Sequence, residues 1–190
     1  MRGCAMIENA YRSGNNIEQA LFNALYEIML TTPIDRIPVT KILEKAHVSK
    51  ATFYRKYRDK YDLLNKCYEN ILEKTLFTFN RGISWRESIY QIYKVIGDNR
   101  EFFSNAFNSS DCNSLQNFIF DRTLRLEKEI LRKNGVDPDA PENSYRLISY
   151  VSGGLAITVK WVQDKAEFPL DKLVEIFVEN IPNGFQEYFK

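Results

Sequence analysis

The 190-residue chain is long enough for one large or two modest domains with a real core. At 44% hydrophobic and 27% charged residues it has the composition of a soluble globular protein, with no apolar run near the roughly 18–20 residues of a membrane span; three scattered cysteines and one histidine exclude a disulfide scaffold or zinc cluster. The net charge of +1 conceals an asymmetry, because residues 1–60 hold 10 Lys/Arg against 6 Asp/Glu and the remainder 16 against 19, which suits a nucleic-acid-binding head on a mildly acidic body.

Residues 1–15 are polar, end in Ser13-Gly14-Asn15 and read as a flexible arm. Arg2 and Arg12 are placed either to reach DNA beside the main contact or simply to lie in a frayed terminus. The stretch lacks the apolar core of a signal peptide, so a cytoplasmic location is expected. Ile17, Ala20, Leu21, Ala24, Leu25, Ile28 and Met29 then recur at helical spacing and predict an amphipathic helix. That helix ends before Pro33, since the residue preceding proline is pushed out of helical geometry.

The stretch Val39–Leu64, VTKILEKAHVSKATFYRKYRDKYDLL, predicts helix, tight turn, helix, second turn and the start of a longer helix. Ile42, Leu43 and Ala46 give the first short helix its buried face. His47-Val48 is the turn, and Ser49 is a suitable N-cap for a helix over Lys50 to about Tyr54. In that second helix and its flank Phe53 and Tyr57 are the inward anchors, while Lys50, Thr52, Tyr54, Arg55 and Lys56 point elsewhere. Asp59 caps the next helix, with Asp62 in its first turn where the dipole favours a negative charge. This is the layout by which a helix-turn-helix lays its second helix in the major groove.

The run TFYRKYRDKYDLL resembles the signature of TetR-type transcriptional regulators, and PIDRIPVTKILEKAHVS is similar to the segment that precedes it in that family. The resemblance is specific over roughly Ile17 to Leu64; further on it rests on helical layout and a Gly-Gly-Leu followed by Trp161. Two positions depart, His47 where the family usually has Gly and Pro38 where it often has Ser or Thr. The resemblance implies DNA contacts from Thr40, Ser49, Lys50, Thr52, Tyr54, Arg55, Lys56 and Lys60. Of these Lys50 and Arg55 would lie nearest base edges, with Tyr54, Lys56 and Lys60 on phosphate. The competing reading of these residues is a solvated basic helix face.

From Asp59 the pattern predicts one uninterrupted helix to about Arg81, with Leu64, Cys67, Tyr68, Ile71, Thr75, Leu76 and Phe79 on its inner side, and hence a rigid connector leaving the head. Cys67 on that stripe reads as a small core residue rather than a redox sensor. Further helices are predicted from Trp85 to Gly97-Asp98, over Arg100–Phe107, from Leu115 to the Gly135 stop, from Ser144 to about Lys165, and after Pro169 to Ile181; a loop covers 108–114. No strand pattern competes. The expected fold is therefore all-α: a three-helix helix-turn-helix head over residues 1–60 and a helical regulatory and dimerisation domain over 61–190.

In the family the body usually binds an inducer. Trp85, Tyr93, Phe103, Phe107, Phe118 and Tyr150, with Cys67 at the edge, are candidates to line a pocket for a small hydrophobic or aromatic effector; the same aromatics suit a plain core equally well. The helix from Ser144 is apolar on two faces and so must be buried on two faces, one of them against a second copy of the chain. Leu155, Trp161, Val162, Phe177 and Val178 are the candidate homodimer contacts, and Gly153-Gly154 implies close backbone approach. No catalytic constellation, phosphate-cradling glycine loop or metal spacing appears, so neither an enzyme nor a cofactor is expected. The predicted function is a ligand-responsive repressor that binds a near-palindromic double-stranded operator as a dimer. The alternative is an adaptor that keeps the helix-turn-helix shape and acts through protein contacts without binding DNA.

Overall fold

Helix α1 (Asn16–Met29) is the buttress of the head: Leu21, Phe22, Ala24, Leu25, Ile28 and Met29 are buried along one stripe. The computed structural model describes residues 16–79 and 81–190; the arm expected over 1–15, with Arg2 and Arg12, lies outside them. A 3-10 turn (Ile34–Arg36) leads into α2 (Val39–Ala46), which packs against α1 through Ile42, Leu43 and Ala46. His47 then takes a left-handed backbone (φ 53, ψ 39), a conformation His tolerates better than most non-glycine residues. The short α3 (Lys50–Tyr54) follows, with Phe53 and, just beyond, Tyr57 driven into the core beside Phe22.

Helix α4 (Lys60–Lys74) starts on the Asp59 cap, whose carboxylate accepts the Asp62 N–H at 2.8 Å. It stops at Lys74, not near Arg81, which corrects the expected unbroken connector. Thr75 is the reason. Its hydroxyl donates to the Ile71 carbonyl at 2.7 Å, taking the acceptor its own N–H would have used, and that N–H turns to Leu72 instead. A 3-10 turn (Leu76–Thr78) and a single parallel bridge between Phe79 and Ile83 reverse the chain, with Gly82 at φ 89 in the turn. The break folds Leu76 and Phe79 back into the core, where Phe79 packs edge-on against Trp85 with ring centroids 5.2 Å apart.

The body contains α5 (Trp85–Asp98), α6 (Arg100–Phe107), α7 (Leu115–Lys133), α8 (Pro141–Gln163) and α9 (Leu170–Glu179). Helix α8 begins three residues earlier than the pattern predicts, because Pro141 fits the first helical turn, where its missing N–H costs nothing. It packs on α7 and α6, while α9 packs on α5. The carboxyl-terminal 3-10 turn (Gln186–Phe189) brings Phe189 onto Trp85 at 4.9 Å. The architecture is all-α, and among the described residues no helix is long and apolar enough to cross a membrane.

Candidate nucleic-acid interface and body cavity

Ser49 builds the start of α3 twice over. Its oxygen accepts the Thr52 N–H at 3.1 Å and its hydroxyl donates to Thr52 Oγ1 at 2.9 Å. This capping network holds Thr52 half-buried, so the two residues chiefly orient the helix. Thr40, Lys50, Ala51, Tyr54 and Arg55 are exposed. The Lys50 ammonium lies 5.9 Å from the centre of the Tyr54 ring, and Tyr54 is 48% exposed. Lys56 is tethered to Glu18 of α1 at 2.8 Å, an exposed pair of small energetic weight that leaves the lysine at the edge of the same face.

Lys60 is placed differently from expectation. Its ammonium donates to the Asp35 carbonyl at 2.9 Å and the Ile37 carbonyl at 3.0 Å and lies over the Tyr61 ring. It closes the carboxyl end of the first 3-10 turn, and partial burial lowers its pKa despite Asp35 nearby. With two protons committed to carbonyls it is a staple of the head.

The head meets the body through a polar seam. Asp35 accepts from Tyr61 at 2.8 Å and from Ser109, in the loop before α7, at 2.6 Å. Desolvation works to raise the Asp35 pKa, but the Ser109 and Tyr61 bonds outweigh it and hold the carboxylate below its usual range. The Tyr61 phenol is pushed up to about 12 by burial and by its bond to Asp35. Asn65 of α4 donates to the Asn113 carbonyl at 3.0 Å, and Arg122 of α7 makes a two-pronged contact to Glu69 of α4 at 2.9 and 2.6 Å. The loop before α7 is thereby bonded to the head through Asp35, and the loop and first half of α7 are fastened to α4.

A cavity lies between α5, α7, α8 and α9. Trp85, Tyr93 and Tyr150 line it, joined by Tyr68. Cys67, Phe103, Phe107 and Phe118 do not: Phe103 packs against Tyr68, Phe102 and Phe107 in the core beneath the head, Cys67 is buried on α4, and Phe118 packs half-buried on the core. These four are corrected from lining to packing. Thr158 and Glu127, which aromatic spacing does not mark, add polar groups to the cavity. Tyr93 is bonded to Thr158, the Tyr150 hydroxyl donates to the Phe177 carbonyl at 2.8 Å, and Glu127 is 1% exposed with its Oε2 unpartnered. Burial alone pushes the Glu127 carboxyl well above the ordinary range. The Trp85 indole N–H lies near enough to the Tyr150 hydroxyl to influence it but makes no hydrogen bond. Among the described residues no cluster of three or more metal-ligating side chains occurs.

Of the expected dimer contacts, Trp161 (5% exposed), Val162 and Phe177 are core residues of their own chain, which corrects their assignment to a partner. Trp161 lies against Gly97 of α5, and its indole N–H donates to the Phe168 carbonyl at 2.9 Å. Leu155 and Val178 are half-buried. The outward stripe of α8 is instead Tyr145 (76% exposed), Ile148 (39%), Ser149, Ser152, Gly153 and Ala156, beside a groove of about 510 Å³ between α8 and α9.

Residues 84–183 match the family described as "Transcriptional regulator C-terminal region", of the TetR class. Among solved structures the chain is similar to the dihydroxyacetone kinase operon activator DhaS, with a TM-score of 0.59 and 17% identity over 87% of this chain and 93% of that one, a likeness that bears on the fold alone. No curated protein matches. The matched region spans more than half of the chain and joins it to the helix-turn-helix head described above. The chain belongs to the TetR family of transcriptional regulators.

Proposed function

We propose that the protein is a sequence-specific DNA-binding repressor that engages a near-palindromic operator as a homodimer and is released by a small effector bound in the body. The observation that carries this reading is the exposed face of α3, a capped helix that offers Lys50, Tyr54 and Arg55 to solvent on a helix-turn-helix scaffold. Lys50 and Arg55 are the base-reading candidates; Tyr54, Lys56 and Thr40 hold phosphate. Selection from random duplexes tests it: a near-palindrome with half-sites about 34–36 Å apart, or a multiple of that, should be enriched at low salt. No enrichment of any site would leave the adaptor reading. In a reporter assay, deletion of the regulator should raise transcription from the selected site; a fall would make it an activator.

The dimer rests on the outward stripe of α8. Aromatic, aliphatic and small residues alternate there without charge from Ile148 to Gly153, and the groove beside α9 gives the stripe room to seat a second copy. The effector reading rests on the cavity, which is aromatic on its walls and carries one unpartnered acid.

A further inference from the structure

Glu127 is an unusual residue to bury. It lies on the inward stripe of α7 with Leu115, Ile119 and Ile130, and it ends among aromatic rings. Oε2 has no hydrogen-bond partner, and no basic side chain lines the cavity. The titratable groups that face it are Tyr68, Tyr93 and Tyr150, each a phenol held neutral by burial. An uncompensated acid in such a place costs free energy and is ordinarily replaced or paired. The aromatic walls are equally specific: Tyr68, Trp85, Tyr93 and Tyr150 present ring surface around one acidic oxygen. Rings attract cations through their faces, and a carboxylate anchors an ammonium by a charge-assisted bond.

We propose that the cavity takes a small organic cation, a protonated amine on a single aromatic or apolar body, with the ammonium on Glu127 Oε2 and the body among Trp85, Tyr93 and Tyr150. The proposal deepens the effector reading and rests on it. At about 60 Å³ the cavity holds a few waters and is smaller than the roughly 150 Å³ that admits a benzene ring, so the body of the ligand enters by displacing water and moving wall side chains. Without ligand the acid keeps its proton, since burial disfavours the carboxylate. When an ammonium binds, the Glu127 proton leaves to solvent and the carboxylate forms opposite the cation, so a net proton is released. Size, ring surface and the acid together exclude anions and disfavour neutral bodies.

Three near-isosteric probes separate the possibilities: benzylammonium, benzyl alcohol and benzoate, titrated calorimetrically into the full chain at neutral pH in two buffers of different ionisation heat. Benzylammonium should bind about tenfold or more tighter than the alcohol, with proton release, and benzoate should not bind. In Glu127→Gln, which keeps the shape, amine affinity should fall to that of the alcohol and proton release should vanish. Thermal unfolding of the variant checks that it is folded, and Thr123→Val, a wall change that leaves the acid in place, should keep both the amine preference and the proton release. The proposal is overturned by an alcohol that binds as well as the amine, by an amine preference that survives Glu127→Gln, by binding without proton release, or by no binding of any probe into the millimolar range. Competition with the selected duplex is scored separately. An amine bound through Glu127 that leaves DNA affinity unchanged sinks the effector reading and leaves the ligand class standing.

Discussion

Ser49 and Glu127 show how much a single side chain decides here. Removing the Ser49 hydroxyl takes away both the cap on the Thr52 N–H and the partner of its Oγ1. Ser49→Ala should lower stability by about 1 kcal/mol, read by denaturant unfolding, and weaken binding to every duplex because α3 loses its fixed start. Glu127 acts in the opposite sense. Its folded pKa lies above the unfolded value, so its favourable contribution is complete below the ordinary carboxylate range and is lost as pH rises toward the raised folded value. Glu127→Met, of similar volume, should therefore stabilise the unliganded protein at neutral pH by about 1–3 kcal/mol and flatten the decline of thermal stability above the ordinary carboxylate range. A variant less stable than the parent at neutral pH would mean that the acid has a partner in solution. The residue was legible in the sequence: Leu115, Ile119, Thr123, Glu127 and Ile130 follow one helical stripe, and an acid on an apolar stripe is a signal that aromatic spacing does not carry.

At the scale of elements, three glycines separate local propensity from tertiary contact. A Cβ at Gly97 would sit 2.8 Å from the Trp161 ring and one at Gly154 would sit 3.0 Å from Phe177, whereas one at Gly153 would meet nothing within 4 Å in the same chain. Each glycine costs its helix about 1 kcal/mol against alanine. Gly97→Ala should still destabilise, by about 1–3 kcal/mol, because the rigid indole must move out of a packed core. Gly153→Ala should raise helix stability in the monomer and loosen the proposed dimer, which sedimentation and thermal unfolding read separately. Close approach was expected at both residues of the Gly153-Gly154 pair; within the chain only Gly154 shows it, since consecutive helical positions point some 100° apart. The break of α4 was illegible for a related reason. Periodicity continues through Leu76 and Phe79, but a local hydroxyl–carbonyl bond at Thr75 redirects the chain, and the same apolar residues reach the core from a turn.

At the scale of the molecule, the two proposed contacts, α3 with DNA and α8 with a second copy, are both carried by one continuous core. Ile148→Glu on the outward stripe should release folded monomers in sedimentation, while Trp161→Glu should unfold the chain, since Trp161 belongs to its own core. Signalling from cavity to head has a physical path through α7 as well as α4. Thr123 and Glu127 border the cavity, Arg122 grips Glu69, and the loop before α7 bonds Asp35 through Ser109. A cavity ligand that shifts α7 along its axis would pull on the first 3-10 turn, which leads into α2 and is stapled to the start of α4 by Lys60. Ser109→Ala, which cuts one such link without touching the core, should leave ligand and DNA affinities close to the parent's while reducing their mutual antagonism, for which about 1–3 kcal/mol is typical. Unchanged antagonism in a competition assay would remove this route.

Most of the helices and the basic, capped α3 were determined by the sequence alone, because periodicity, Ser49, Asp59 and Gly135 act within a few residues of themselves and need no distant partner; the end of α4 and the start of α8 at Pro141 were not read from the pattern. The resemblance in TFYRKYRDKYDLL likewise belongs to a local motif, and the family it suggests is the one that residues 84–183 match. What only the tertiary structure decided is which apolar face meets which neighbour. Trp161, Val162 and Phe177 were indistinguishable in pattern from partner-facing residues, and Phe103 and Phe107 from pocket-lining ones. Lys60 resembled any exposed lysine until two carbonyls from another element came within 3.0 Å of its ammonium. Periodicity marks the faces a helix must bury, but what covers them depends on how distant segments pack, and that information is held by contacts between residues far apart in the chain.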